Sequence, residues 1–199
     1  MSKNIVEEIR REQITNATKK LILTKGYNNF SMKDLAAELE MSAGIMYHYF
    51  TSKEDILFEV LKDSFFRGPY MKVMETVSPL QTFPEKILSY LDTVNRSIKE
   101  DLEFYLLIVI YIGQVTYAPK TSMLLEKFLN NLRSFVRDIL QLGVEQGFLE
   151  EDMINSLPEL IIANYMGLVL QIAQDQQALN LDNALMKNKE LILRYLGIK

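Results

Sequence analysis

The 199-residue chain contains no cysteine and only one histidine, His48. The lack of cysteine excludes disulfides, thiolate metal sites and cysteine nucleophiles. A single histidine also argues against a zinc enzyme and against a Ser-His-Asp hydrolase, and the sequence has neither a Gly-x-Gly pattern nor a Walker loop. We therefore expect a protein that is not an enzyme and that binds no metal and no cofactor.

The chain also lacks a long hydrophobic run and an excess of positive charge. Its longest apolar stretch, residues 104–113, is about half of what a bilayer-spanning helix needs. Charged residues in the first 20 positions leave no room for the apolar segment of a signal peptide. The 22 basic and 26 acidic side chains give a net charge of −4, so nucleic-acid binding must be argued locally. We expect a soluble protein of the cytoplasm without a membrane partner.

Apolar residues at helical spacing dominate the sequence. Only eight glycines and five prolines interrupt it, and no segment alternates apolar and polar residues for long enough to predict a sheet. The pattern predicts an all-α chain of about nine helices. Their expected positions are about residues 5–25, 32–39, 43–50, 52–66, 82–99, 102–117, 121–146, 156–177 and 182–196.

Capping residues indicate where several helices begin. Ser31 and Ser42 each precede a short helix as candidate N-caps. Thr51-Ser52-Lys53-Glu54 and Thr82-Phe83-Pro84-Glu85 have the spacing of a capping box, in which hydroxyl and carboxylate each bond the other residue's backbone. Local signals alone thus predict four helix starts.

Residues 31–50 predict two short helices around a turn of three or four residues, which is helix-turn-helix spacing. The second helix of such a unit can enter a major groove about 12 Å wide while the first braces it. Charge is polarised here: residues 1–33 carry seven Lys or Arg and three Glu, whereas residues 34–55 carry one Lys and five acids. The unit is neutral as a whole but has a basic side.

The stretch from Ile14 to Leu61 resembles the N-terminal domain of TetR-family transcriptional regulators. The similarity is carried by KGYNNF, by SMKDLAAELEMSAGIMYHYF and, most specifically, by YHYF followed by TSKEDIL, and it covers about a quarter of the chain. The resemblance implies a helix-turn-helix DNA-binding domain over residues 1–51. It further implies a larger helical domain over residues 52–199 that binds a small-molecule effector and dimerises.

One departure from the family lies in the turn between the two short helices. The family usually has glycine where this chain has Glu40. A non-glycine residue at positive φ is strained by roughly 1 kcal/mol. Either the turn is rebuilt or the strain is tolerated.

Two kinds of DNA contact are expected from the motif. Serine, lysine, tyrosine and histidine side chains suit phosphate contacts, which position a protein without reading sequence, and the N-terminus of the helix after Ser52 is a candidate anion site. The resemblance implies base-edge contacts by Lys33 and by the first residues of the second helix, which offer no side-chain hydrogen bonds, so that thymine methyls and DNA shape contribute to reading. The predicted DNA-binding residues are Ser31, Lys33, Ser42, Ala43, Gly44, Ile45, Tyr47, His48, Tyr49 and Lys53.

The last two predicted helices are candidates for a dimer interface. Apolar residues repeat there at three- and four-residue steps, and two helices from each subunit would form a four-helix interface. The predicted interface residues are Leu160, Asn164, Gly167, Leu168, Leu191 and Tyr195. The same spacing includes Leu157, Ile161, Ile172, Leu185 and Ile192. The alternative is that these residues cover the core of their own subunit.

An effector site is expected beside the most apolar segment, residues 104–117. A central helix with tyrosine hydroxyls suits an apolar pocket with a few polar anchors, and the low basic content suits a hydrophobic or aromatic molecule. The predicted effector-binding residues are Phe66, Phe104, Tyr105, Ile108, Tyr111, Ile112 and Tyr165, with Tyr117 in the same segment. The alternative is a packed core without a cavity.

These features together predict an effector-responsive repressor that binds a pseudo-palindromic operator in double-stranded DNA as a homodimer and is released by a small apolar or aromatic molecule. A helix-turn-helix protein that serves as a protein-interaction module without specific DNA binding is the alternative. The two differ in whether a salt-dependent complex with specific DNA forms.

Overall fold

The computed structural model describes residues 3–114, 119–175, 177 and 179–198. The described residues form ten α-helices and no strand, so the all-α prediction is confirmed. The helices are α1 (Lys3–Lys25), α2 (Met32–Glu38), α3 (Ala43–Tyr49), α4 (Lys53–Arg67), α5 (Pro69–Val77), α6 (Phe83–Glu100), α7 (Leu102–Ile112), α8 (Pro119–Glu145), α9 (Leu157–Gln174) and α10 (Leu181–Tyr195). A short 3-10 turn, Glu151–Ile154, precedes α9. Within these ranges, no helix has the length and apolarity needed to cross a membrane.

Two helices differ from the sequence-based expectation. The structure contains α5, which the sequence pattern missed because Gly68-Pro69 and Ser78-Pro79 look like interruptions; Pro69 in fact starts the helix, where its missing N–H costs nothing. Helix α7 was expected to continue to about residue 117 but ends at Ile112, with Gly113 as its C-cap. Tyr117 lies outside the described residues.

The capping predictions hold in detail at three starts and fail by one residue at the fourth. Complete capping boxes join Ser31 to Asp34 and Thr82 to Glu85, and the Ser42 hydroxyl accepts from the backbone N–H of Ile45. At α4 the cap is not Thr51 with Glu54. The Ser52 hydroxyl accepts from the Asp55 N–H at 3.1 Å, while the Asp55 carboxylate accepts from the N–H of Thr51 at 3.0 Å.

Glu40 has φ +52°, so the turn between α2 and α3 keeps its left-handed residue without glycine. The turn is not rebuilt: the N–H of Met41 still donates to the carbonyl oxygen of Ala36 at 2.8 Å. The strain expected for this conformation is therefore tolerated. Ser156, with φ +62° just before α9, is a second such residue, and no local sequence signal predicted it.

The hydrophobic core of the N-terminal helices continues into the rest of the molecule. Met46 and Phe50 are completely buried, and the same cluster of side chains includes Tyr111 of α7 and Phe128 of α8. The Tyr111 hydroxyl donates to the backbone carbonyl of Leu57 in α4 at 2.7 Å. A second cluster joins α5, α6, α8, α9 and α10. Helix α4 thus has one end beside the helix-turn-helix and its body packed against the larger helical part.

Candidate functional site

Helix α3 presents most of its surface to solvent. Only Met46 among its residues is buried, and it anchors the helix to α1, α2 and α4. The predicted contact residues on the outward face are all exposed, with Ile45 at 48% and Tyr47 at 53%, large values for apolar and aromatic side chains. The exposed set is Ala43, Gly44, Ile45, Tyr47 and His48. Exposed apolar residues here are available for thymine methyls and deoxyribose.

Tyr49 lies at the end of α3 and is half-buried. Its ring meets the His48 ring edge-to-face at 5.2 Å between centroids. Its backbone carbonyl oxygen accepts from Arg11 Nη1 at 2.6 Å, and the Arg11 guanidinium also stacks 4.2 Å from the Phe50 ring centroid. The arginine thus binds the negative end of the α3 dipole.

The sequence analysis assigned no role to Arg11. Arg11 and Tyr49 are 38 residues apart, so no helical spacing connects them. Only the crossing of α1 and α3 brings them together. Arg11 therefore supports α3 from behind.

The two predicted phosphate-binding serines already act as helix caps. The Ser31 hydroxyl donates to the Asp34 carboxylate at 2.7 Å and accepts from the Asp34 N–H. Both Ser31 and Ser42 remain exposed. Ser31 and Ser42 therefore shape the starts of α2 and α3, and any phosphate bond would share these hydroxyls.

Lys33 is exposed on α2 and forms no ion pair or hydrogen bond with any described residue. Its basic neighbours are engaged: Lys20 pairs with Glu38 at 2.9 Å, and Lys25 lies 3.7 Å from Asp34. Among these lysines, Lys33 alone has an uncommitted ammonium group. It is therefore well placed for an external acceptor.

Lys53 begins α4 and points back to the helix-turn-helix. Its ammonium donates to the carbonyl oxygen of Phe30 at 2.8 Å and lies 4.2 Å from the Phe30 ring centroid. Partial burial lowers the pKa of Lys53, while Glu54 and Asp34 oppose that shift. Two of its three N–H donors remain for other acceptors. The N-terminus of α4 is less open as an anion site, because Asp55 already provides a carboxylate there.

The structure contains a cavity of about 90 Å³ between α5, α6, α7, α8 and α9. It brings together four of the predicted effector-binding residues: Phe104, Tyr105, Ile108 and Tyr165. The sequence analysis missed most of the lining, because all of those residues except Val109 lie on helices other than α7. The missed residues are Tyr70, Val73, Tyr90, Val94, Val109, Phe128, Leu129, Leu132, Ile162, Met166 and Val169.

Three predicted effector-binding residues do not line this cavity. Phe66 is 58% exposed and lines a surface groove between α4, α5 and α8 instead of the cavity. Tyr111 is fully buried against Tyr27 and α4. Ile112 packs with the N-terminal core cluster. Tyr111 and Ile112 thus belong to the same core cluster as Phe104 and Ile108 but lie beyond the cavity, nearer the C-terminal end of α7.

The outer face of α9 and α10 exposes large apolar side chains. Leu160 is 58% exposed, Leu191 62% and Tyr195 59%. Asn164 is exposed, whereas Leu168 and Gly167 are half-buried, and a Cβ at Gly167 would meet no atom within 4 Å, so that another helix could approach there. The other residues with the same spacing are buried in their own subunit and belong to its core: Leu157, Ile161, Ile172, Leu185 and Ile192.

Comparison with known proteins agrees with this architecture. Residues 14–60 match the family model described as bacterial regulatory proteins, tetR family. The chain is 44% identical over 59 residues to the HTH-type transcriptional regulator HbdR of Aromatoleum sp. (strain CIB), a match covering 30% of this chain and 25% of HbdR. That alignment spans only a quarter of the relative's length.

Solved structures extend the likeness to the whole chain. A transcriptional regulator of Saccharomonospora viridis in complex with choline superposes with a TM-score of 0.80 at 19% identity, covering 93% of this chain and 96% of that one. The TetR-family regulator PfmR of Thermus thermophilus superposes with a TM-score of 0.69 at 25% identity, covering 91% and 97%. Residues 14–60 thus match the tetR family of bacterial regulatory proteins, and the chain as a whole shares its fold with solved TetR-family regulators.

Proposed function

We propose that the protein is a transcriptional repressor that binds a pseudo-palindromic operator as a homodimer and is released by a small apolar or aromatic effector. The observation that carries this proposal is the outward face of α3, which is exposed from Ala43 to His48 while Met46 and Phe50 anchor the helix. A rigidly held, exposed short helix has the form needed to enter a major groove.

Few side chains are available to recognise the base sequence of the operator. The free ammonium of Lys33 can donate to base acceptors, and Ile45 offers an apolar contact to a thymine methyl. Tyr47, His48 and Lys53 surround α3 with groups that suit phosphates. The operator is then recognised partly through DNA shape, because the start of α3 provides no hydrogen-bonding side chain.

Dimerisation places two copies of α3 for successive major grooves, about 34–36 Å apart. The exposed apolar residues of α9 and α10 supply a surface for a two-fold pairing, in which each copy contributes the same two helices. We expect Leu160→Asp combined with Leu191→Asp to convert the dimer to a monomer in analytical ultracentrifugation. Met123→Asp is the matched control, since Met123 is 71% exposed on α8. A double variant that stays dimeric would place the interface elsewhere.

We expect an effector to release the protein from DNA because the cavity is connected to α4. Phe128 lines the cavity, and its ring stacks on Phe65 of α4 with centroids 3.8 Å apart and planes inclined by 3°. At about 90 Å³ the cavity is smaller than the roughly 150 Å³ that holds benzene in an engineered protein core. An effector of that size or larger displaces the ring pair and α4, and so favours a conformer in which the two α3 helices no longer match the operator.

DNA binding is tested with the DNA upstream of the protein's own reading frame and a scrambled duplex of equal length, over a range of salt concentrations. We expect Lys33→Ala to weaken binding to the specific duplex by about 10-fold and to reduce the difference in affinity between the specific and the scrambled duplex. Lys53→Ala should weaken both duplexes alike and reduce the salt slope by about 1. Lys62→Ala is the control, because Lys62 pairs with Glu59 on α4.

The alternative is a protein-interaction module without specific DNA binding. The absence of any specific complex at low and moderate salt would favour that alternative. Equal losses on both duplexes for Lys33→Ala would leave the protein a DNA binder but refute the proposed role of Lys33 in sequence reading.

A further inference from the structure

Four tyrosines line the cavity, and their hydroxyls differ in whether the protein already uses them. The Tyr105 hydroxyl shares a hydrogen bond of 2.6 Å with Ser97, and the Tyr165 hydroxyl donates to Asn95 Oδ1 at 3.0 Å. Tyr90 is only 5% exposed, yet its hydroxyl forms no hydrogen bond with any described residue. The fourth, Tyr70, is half-buried where the cavity meets the outer groove.

Tyr90 lines the cavity, and its hydroxyl has no hydrogen-bond partner among the described residues. Among the described residues, only one side-chain nitrogen or oxygen is both without a hydrogen-bond partner and inaccessible to water, and that atom is Asn188 Nδ2. The Tyr90 oxygen is not in that class: it has no hydrogen-bond partner, but a water-sized molecule can reach it. The space that Tyr90 lines is the cavity. A buried hydroxyl without a partner is destabilising, so a ligand that brings an acceptor gains the bond that the protein leaves unmade.

The surroundings of this hydroxyl disfavour an anion. The described residues that line the cavity include no charged side chain. Burial raises the pKa of Tyr90 well above its ordinary value and raises the pKa of Tyr105 to about 12, which shows how poorly the site stabilises negative charge. A carboxylate would lose its hydration here without gaining a cation.

We propose that the Tyr90 hydroxyl is the hydrogen-bond donor that selects the effector, and that the effector is a small uncharged molecule with an apolar body and one carbonyl-type acceptor. The inference rests on the proposed function in taking this cavity as the effector site. It goes beyond that function by naming the polar group that the effector carries and the residue that recognises it.

The test uses two ligands of six non-hydrogen atoms that differ in the acceptor: cyclopentanone and methylenecyclopentane. Their dissociation constants are measured by NMR titration of the purified full-length chain and of its Tyr90→Phe variant, without DNA. We expect Tyr90→Phe to weaken the binding of cyclopentanone about 5-fold and to leave the affinity for methylenecyclopentane unchanged, because only the ketone loses a hydrogen bond. Cyclopentanecarboxylate at pH 7 should bind at least 10-fold more weakly than the ketone.

The matched control is Tyr111→Phe, which removes another buried hydroxyl from outside the cavity and should not change the ratio of the two affinities. The proposal is overturned if wild type does not bind cyclopentanone, if Tyr90→Phe affects both ligands equally or neither, or if the carboxylate binds more tightly than the ketone. If the variant does not fold, the wild-type affinities for the ketone, methylenecyclopentane and the carboxylate still test the proposed chemical class of the effector, because only the ketone is an uncharged acceptor.

A parallel DNA-binding assay separates this inference from the proposed function. Ketone binding that depends on Tyr90 in a chain that binds no specific DNA supports the inference and removes the regulator proposal. Specific DNA binding without ketone binding supports the regulator proposal and overturns the inference about Tyr90.

Discussion

The helix-turn-helix and the helical body use their polar side chains in opposite ways. Around α2 and α3, Lys33 and His48 face solvent, while serine and aspartate side chains near the helix ends bond the local backbone. In the body, the polar groups converge inward, as the hydroxyls of Tyr90 and Tyr105 do at the cavity. A surface that meets a polymer can be built from one short stretch of sequence, whereas an enclosed site needs several helices to meet.

The two regions are nevertheless joined by one continuous core. Tyr111 of α7 bonds α4 and packs edge-to-face on Tyr27 in the turn after α1, at 5.3 Å between ring centroids. Phe65 and Phe128 add a stacked pair between α4 and α8. The contrast in polarity therefore does not make the regions mechanically independent, and four predictions test how far they depend on each other.

The largest effect is expected for Phe50→Ala, which should lower the free energy of unfolding by about 3–5 kcal/mol. Phe50 is completely buried in the cluster that also holds Tyr111 and Phe128. Because that cluster spans both regions, urea unfolding should remain one transition by circular dichroism and by tyrosine fluorescence. Phe66→Ala, at a phenylalanine that is 58% exposed, should change stability by no more than about 0.5 kcal/mol. An early transition confined to the N-terminal helices would show that the regions unfold separately.

Tyr111→Phe should lower stability by about 1 kcal/mol, since it removes the buried hydrogen bond to the Leu57 carbonyl. Chemical denaturation provides the measurement. Tyr195→Phe is the control, because the Tyr195 side chain is 59% exposed. Equal stabilities of the two variants would mean that this bond contributes nothing to joining α7 to α4.

Glu40→Gly should raise stability by about 0.5 kcal/mol, because relief of the left-handed strain exceeds the entropy that glycine adds to the unfolded chain. In Glu12→Gly, the same replacement inside α1 should cost about 1 kcal/mol. Thermal unfolding midpoints of both variants test this. A loss of stability at position 40 would show that the Glu40 side chain contributes more than its backbone strain costs.

The smallest expected effect is on the stability of the protein at acidic pH. The Ser31 hydroxyl and N–H, assisted by Lys25, hold the pKa of the Asp34 carboxyl below its ordinary value of 3.8. The resulting stabilisation is present above that value and is lost as the pH falls below it, because the unfolded chain takes up the proton first. The Asp34→Asn variant should therefore lose less stability than wild type between about pH 4 and pH 2.

Thermal unfolding midpoints across that range measure the effect. Glu85→Gln gives the same comparison in the body, because Thr82 likewise lowers the pKa of Glu85. An unchanged pH dependence in Asp34→Asn would exclude the capping box as the source.

The success of the sequence analysis follows the range of the interactions involved. Ser31 with Asp34 and Thr82 with Glu85 are separated by three residues, so the sequence shows both partners of each cap. The outward face of α3 was predicted from the family resemblance and not from apolar spacing, because Ile45 is apolar and yet exposed. Phe66, by contrast, was expected at the effector site and faces an outer groove, because the orientation of α4 depends on its neighbours.

The sequence by itself determined every helix except α5, most of the helix starts and the helix-turn-helix, because caps and apolar spacing act within a turn or two of the chain. Only the tertiary structure decided that Tyr90 lines the cavity with a free hydroxyl, that Arg11 binds the end of α3 and that Tyr111 joins α7 to α4. These contacts join residues that are distant in sequence, and their geometry is set by the packing of whole helices.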